Sequence, residues 1–235
     1  MNNSKLHPAN WGVGTRISAV TFALAGAIIA GLIATITMST SSMLEKRAMQ
    51  SVSSELNGVV NTVELFNKTV NSQAVSFGRI FRAGLAGEFV LDEAATVDVG
   101  GRQVPTLSVG GKALNLDFSA PDSFTERTGG NATIFATAGD DFVRVTTSVK
   151  KENGERAIGT ALDKTSPAYA ALREGRTYVG LATLFGKLFI TQYEPVRGAG
   201  GKVVGALYVG VDITKDIAYL KERIRSVKIG DTGYF

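Results

Sequence analysis

Residues 131–149 read NATIFATAGDDFVRVTTSV, and the alternation of apolar and polar side chains through them decides the fold. The runs 131–138 and 142–149 each alternate with period two. A Gly139-Asp140-Asp141 turn between them folds one run back on the other. Period two in β-branched and aromatic residues predicts strands, and two such runs around a tight turn predict a hairpin. Alternation along the second strand puts Phe142, Arg144, Thr146 and Ser148 on one face, and Val143, Val145, Thr147 and Val149 on the other. Only the first of these faces mixes a cation, hydroxyls and an aromatic ring.

Downstream, KENG at 151–154 closes a second hairpin with an Asn-Gly turn. A short helix follows, with Ser166 as N-cap, Pro167 as its first residue, two turns over 168–174 and Gly175 as its C-terminal glycine. Three more strand-like runs occupy 177–184, 187–196 and 202–211, the last two joined by Gly198-Ala199-Gly200-Gly201. A final helix takes Thr214 as cap and Ile217, Leu220, Ile224 and Val227 as its apolar stripe, and ends at Gly230. Beyond it, 231–235 reads as a turn opening into another strand. Nothing follows to pair with that strand, so the chain is expected to be a fragment or truncated product of something longer.

Upstream, TVDVGGRQVP at 96–105 is echoed by TLSVGGKALN at 106–115, with Gly-Gly pairs in register. Gly-Gly between short apolar strands predicts successive hairpins, and two units are too few for a solenoid. The glycines lack the order of a phosphate-binding loop, and no helix follows them. An antiparallel sheet with a small inserted helix and a long helix leading in belongs to the α+β class.

That leading helix is written at Met49, Val52, Leu56, Val59, Val63, Phe66 and Val70, whose spacings run 3, 4, 3, 4, 3, 4. Such a seam suits a two-chain coiled coil and also a helix packed on its own domain. It continues less regularly through Gln73, Phe77 and Ile80, and the helix is expected to end near residue 76. A homodimer through this helix is the expected assembly. Before it, ISAVTFALAGAIIAGLIATITM at 17–38 is 22 residues without a charge. A helix of about 20 apolar residues crosses a bilayer. A cleaved signal has a shorter core and a small-residue cleavage site, so the reading favours an uncleaved transmembrane anchor. Lys5 and Arg16 precede the span with no acidic residue, which orients the amino terminus to the cytoplasm and the body outside it.

Composition closes several routes. There is no cysteine, so neither a thiolate nucleophile nor a disulfide is available, and the single histidine, His7, precedes the span. A Ser-His-Asp triad within the body is thereby excluded. The net charge of +4 comes from 25 basic and 21 acidic residues. They are interspersed, with no basic run longer than two, so no nucleic-acid partner is expected. The nearest carboxylate pairs, Asp140/Asp141 and Glu152/Glu155, sit in predicted turns as solvated residues do. No enzyme, metal site or cofactor is expected.

The segments DDFVRVTTS (140–148), GTALD (159–163), PAYAAL (167–172), YVGLA (178–182), ITQYEPV (190–196) and VGALYVGVD (204–212) together resemble the fused Cache 3/Cache 2 sensor region of bacterial methyl-accepting chemotaxis proteins. The resemblance covers roughly residues 40–235. It implies a PAS-like periplasmic domain on a long helix, anchored in the bacterial inner membrane, that binds a small molecule and signals in chemotaxis. IGDTGYF at 229–235 resembles the first strand of a second, membrane-proximal Cache module. The implied organisation is a cytoplasmic terminus over 1–16, a transmembrane helix over 17–38, a stalk and dimerisation helix over 39–80, a sensor domain over 81–213, and a linker with the start of a second module over 214–235. The same region on a histidine kinase or a cyclic-dinucleotide enzyme is the alternative within signalling. A structural envelope protein is the alternative outside it, distinguished by a filled core in place of a cavity.

The ligand is expected to be small and anionic, since a guanidinium pairs well with a carboxylate in a partly dry pocket. Arg144 and Thr146 are the first candidates on their strand face. Tyr178, Thr191, Tyr193 and Tyr208 on the neighbouring strands are expected to add hydroxyls that fix its orientation.

Overall fold

The computed structural model of the chain describes residues 12–226, 228–229 and 233–234. His7 and Lys5 lie outside the described residues, as do Val227, Gly230 and Phe235. The chain divides into two compact units, Met1–Val59 with Ser226–Phe235, and Val60–Arg225.

Helix α1 runs unbroken over Val13–Ala83. Its stretch Ile17–Thr40 is long and apolar enough to cross a membrane, with a mean hydropathy of 2.3 and no buried residue. The helix passes the expected stop near residue 76, because Gly78 is a point of close approach and not a terminator. A Cβ there would collide with the side chain of Gln192. The 3-4 seam is also redirected. Met49, Leu56 and Val63 are exposed and Val70 is buried, but the stripe then continues through Ala74 and Phe81. Gln73 and Ile80, expected to extend the seam, are exposed. From Val70 onward the helix packs on its own sheet, so a straight helix's period near 3.6 replaces the 3.5 of a coiled coil.

In the Val60–Arg225 unit, β1 (Phe89–Asp98), β2 (Gln103–Val109) and β3 (Lys112–Ala113) form a small antiparallel sheet. Its two turns are the predicted Gly-Gly pairs. Gly100 and Gly101 lie at φ 63° and 84°, and Gly110 and Gly111 at 55° and 81°, the left-handed backbone a two-residue hairpin needs. Helix α2 (Ser119–Thr128) was not legible in the sequence, where its only apolar anchors are Pro121 and Phe124.

The main sheet is antiparallel and five-stranded. It contains β4 (Asn131–Ala138), β5 (Asp141–Thr147), β6 (Tyr178–Leu184), β7 (Lys187–Arg197) and β8 (Val203–Asp212) in the order β5-β4-β8-β7-β6. Helix α3 (Pro167–Arg173) is capped as predicted, with Ser166 Oγ accepting from the Tyr169 amide at 3.2 Å. The Asn-Gly turn forms, but no second strand follows it. Instead residues 156–162 run beside the free edge of β5, with Arg144 N donating to Thr160 O and Leu162 N to Phe142 O. One face of the main sheet carries Ile134, Val145, Val196 and Leu207 and packs against Phe81, the small sheet and Phe124 of α2. The opposite face carries Phe135, Phe142, Tyr193 and Tyr208 beneath α3.

Helix α4 (Thr214–Arg225) starts where expected but ends before Gly230. Thr214 Oγ1 accepts from the Leu188 amide at 3.0 Å, so it ties α4 to the start of β7. In the other unit, β9 (Lys228–Ile229) pairs antiparallel with β10 (Gly233–Tyr234), and the turn expected between them lies outside the described residues.

Asp117 fixes the entry to α2. Lys112 Nζ lies 2.5 Å from its carboxylate, and the Ser119 amide donates to it at 3.0 Å. Led by the Lys112 contact, these hold its pKa down at about 2, against an ordinary 3.8. A depressed folded-state pKa stabilises above the unfolded value and is lost as pH falls through the folded one. Asp117→Asn is therefore expected to cost about 1 kcal/mol at neutral pH, solvent screening of the exposed lysine included. The gap to wild type should hold down to about pH 4 and close towards pH 2 in urea unfolding series. A gap independent of pH would show that the charge contributes nothing.

Candidate functional site

Arg144 sits in the middle of β5, and its burial is the unusual feature of the sheet. It is 3% exposed, yet no carboxylate among the described residues pairs with it. One nitrogen, Nη1, donates to Thr160 Oγ1 at 2.7 Å, and Nε is enclosed with no partner. Two rings flank the guanidinium, Phe135 at 4.9 Å and Phe185 at 5.9 Å from carbon to centroid. A buried cation without a counter-charge is costly. Burial accordingly pulls the Arg144 pKa below its ordinary value, with the Tyr193 and Tyr208 phenols opposing that shift.

The guanidinium opens onto a cavity of about 410 Å³ between α3, β6 and the 160–163 loop. Tyr178 and Tyr193 share its wall with Leu162, Ala168, Leu184 and Phe185. Tyr193 pairs across the sheet with Tyr178 on one side and Tyr208 on the other. The rings of Tyr193 and Tyr208 lie 5.0 Å apart. Burial pushes the Tyr193 phenol up to about 12, so it stays a neutral hydrogen-bond donor. Burial also raises Tyr208 well above its ordinary value. Its hydroxyl has no partner among the described residues and lies over Gly210, where any Cβ would collide with it.

The six candidates do not all meet. Arg144, Tyr178 and Tyr193 line the cavity, and Tyr208 stands directly behind Tyr193. Thr191 shares their face, but its hydroxyl donates to Gly180 O at 2.8 Å and holds β6 to β7. Thr146 is a correction. Thr146 pairs with Ile134 and Arg144 with Phe135, so Val145 is an extra residue bulged out of the ladder. Past the bulge, alternation resumes inverted. Thr146 turns to the Ile134 face and donates to Asp117 O at 2.8 Å. Thr147 turns to the Arg144 face, where its hydroxyl meets that of Thr133 at 2.6 Å.

Sequence reasoning missed Thr160 and Phe185. The signal for Thr160 was its place after Gly159, and for Phe185 the Phe-Gly pair between two strands. Phe185 holds φ 48°, an uncommon backbone for an aromatic residue, which aims the turn at the cavity.

A larger hollow of about 590 Å³ lies on the opposite side of the main sheet, lined by Phe81, Leu85, Leu114 and Phe124. Its two cations, Lys112 and Arg127, are both exposed; Lys112 is paired with Asp117, and Arg127 Nε donates to Ser123 O at 3.1 Å. Size favours that hollow; the unpaired buried charge favours the Arg144 cavity, and charge decides the chemistry.

No curated protein matches the chain. Among solved structures it is similar to the Campylobacter jejuni chemoreceptor Tlp3 ligand-binding domain, determined in complex with L-valine, at 17% identity and TM-score 0.40. That match covers 77% of this chain and 65% of the Tlp3 domain, so the chain spans less than two thirds of it. It is similar to the Escherichia coli DcuS sensor domain at 16% identity and TM-score 0.30, over 44% of this chain and 68% of the other. A putative transcriptional regulator from Rhodococcus matches at 14% identity and TM-score 0.30, over 40% and 56%. The family model described as the Cache 3/Cache 2 fusion domain matches residues 37–235, nearly the whole chain after its apolar stretch, and the chain belongs to that family.

Proposed function

We propose that the chain is the extracytoplasmic small-molecule sensing region of a membrane-anchored bacterial chemoreceptor, with Arg144 as the anchor for an anionic ligand. The observation that carries this reading is the buried, uncompensated guanidinium at the wall of a 410 Å³ cavity. An anion entering there supplies the missing counter-charge and exchanges its hydration for charge-assisted hydrogen bonds. A structural envelope protein would fill this space with side chains. The phenols and the guanidinium hold and orient a ligand, so the site is a binding site and not an enzyme's.

Tyr178 and Tyr193 orient the ligand beside Arg144. Tyr208 supports Tyr193 from behind, and Thr191 fixes the strand pair beneath them. Thr146, on the far face, does not touch the ligand. The apolar stretch of α1 anchors the protein in the inner membrane, with residues 81–213 on the periplasmic side. The exposed Met49, Leu56 and Val63 are the contact between two copies. Ligand occupancy shifts populations, and the route out is short. Lys187 and Leu188, which open β7, contact Asp212 at 3.2 Å and Thr214 at 3.0 Å at the start of α4.

Alkaline phosphatase fused after Leu184 should be active in intact cells, and GFP fused there dark. The opposite pattern would end the periplasmic assignment. For the dimer, Val59→Cys is expected to cross-link between chains in membranes far more readily than Asn61→Cys, because Val59 lies on the seam and Asn61 beside it. Equal cross-linking would leave the seam without a partner.

A further inference from the structure

The chemistry of the Arg144 cavity narrows its ligand further than its charge. From its walls we infer that it takes a singly charged carboxylate with an apolar body, and excludes both zwitterions and dianions. This inference rests on Arg144 being the anion anchor.

One guanidinium is the whole positive charge of the interior. Its Nη1 is held by Thr160, and the rings of Phe135 and Phe185 flank it. The free edge matches one carboxylate, and the two opposite charges cancel. Tyr178 and Tyr193 line the same cavity, and neither hydroxyl is engaged by another described residue. Burial keeps Tyr193 protonated, so it donates to a carboxylate oxygen and adds no second charge.

Away from that edge the wall changes character. Leu162, Ala168, Leu184 and Phe185 line a space with room for roughly a dozen waters, and the uncharged polar side chains there besides the phenols are Thr160, Ser166 and Thr183. A second carboxylate or a phosphate dianion would place a net negative charge against these methyl and ring carbons. Burying such a charge unpaired costs several kcal/mol. An α-ammonium meets the same obstacle. The one carboxylate on the wall among the described residues is Asp163, which is exposed, with Oδ1 accepting from the Thr165 amide and hydroxyl at 2.8 Å, so it gives no counter-charge to an ammonium at the buried end beside Arg144. Asp163 belongs to the solvated mouth, not to the interior. A branched or aryl monocarboxylate satisfies the guanidinium and the apolar wall together, which neither of the other two classes does.

The full chain, reconstituted in lipid nanodiscs, is titrated calorimetrically with isocaproate and three close analogues. Isocaproamide removes the charge. Leucine adds an ammonium, and α-methylglutarate replaces one methyl by a second carboxylate. Isocaproate is expected to bind, and each analogue to bind at least roughly tenfold more weakly. Isocaproate binding should vanish in Arg144→Met. Should that variant not fold, Ala182→Asp on the half-buried wall of β6 should repel the same probe. Leucine or α-methylglutarate binding as tightly as isocaproate, and depending on Arg144, would overturn the ligand class and leave the anchor standing. If none of the four binds in a manner that depends on Arg144 or Ala182, both the class and the anchor fall.

Discussion

Arg144→Met is expected to remove binding of anionic ligands while leaving the unliganded protein as stable as wild type, or more so. The loss in binding should be about 2 kcal/mol or more, a factor of thirty or above in Kd. The stability result follows from the balance at this position. Against it stand the hydrogen bond to Thr160, worth about 1 kcal/mol net, and two ring contacts of about 1 kcal/mol each. In favour of methionine stands the desolvation of an uncompensated guanidinium, several kcal/mol even after relaxation. Methionine keeps most of the length and packs on Phe135 and Phe185. A natural protein that carries such a cost at a cavity wall has a use for the charge outside its fold. Thermal unfolding with and without anion separates the two effects. A steep fall in the Tm of the unliganded variant would make Arg144 a structural residue, and unchanged binding would move the ligand elsewhere.

The strands were legible because their alternation reports a half-buried pleat directly. The runs 131–138, 177–184, 187–196 and 202–211 each fall within a residue or so of β4, β6, β7 and β8. What alternation does not encode is a bulge. FVRVTT keeps its period on paper, whereas the extra residue at Val145 shows only in the pairing of β5 with β4. That single insertion moved Thr146 off the site and brought Thr147 onto its face. The site's other unforeseen members have the same origin. Thr160 and Phe185 reach Arg144 from a loop and a turn, where side-chain direction follows from tertiary contacts and not from any repeat. The 3-4 spacing likewise stops predicting the buried face of α1 where the sheet begins. Once α1 meets Ile190 and Ile213, its buried residues are the ones that fit that surface, Val70 and Ala74.

Gly159→Ala should be strongly destabilising, and it should act on the site as well. Gly159 holds φ 72°, and a Cβ there would collide with the carbonyl oxygen of Val99 and lie 3.1 Å from Gly100 Cα. Both obstacles are backbone, fixed by the β1–β2 hairpin on one side and by β5 on the other, since the Gly159 amide donates to Arg144 O at 2.9 Å. The left-handed conformation alone costs alanine about 1 kcal/mol. The collision raises the total to about 3 kcal/mol, because neither backbone can withdraw without breaking sheet hydrogen bonds. For a chain of this size that lowers Tm by roughly 10 °C. Gly101→Ala is the matched control. It has a similar φ of 84° with nothing within 4 Å of its Cβ, so it should lose only the conformational part. Equal losses in the two variants would show that the hairpin yields freely. The consequence for binding follows from the next residue. Thr160 is aimed at Arg144 Nη1 by the turn that Gly159 makes, so a displaced turn releases the guanidinium from its only hydrogen bond among the described residues. Anion affinity in Gly159→Ala should therefore fall at temperatures where the variant is still folded, and it should stay at the wild-type level in Gly101→Ala.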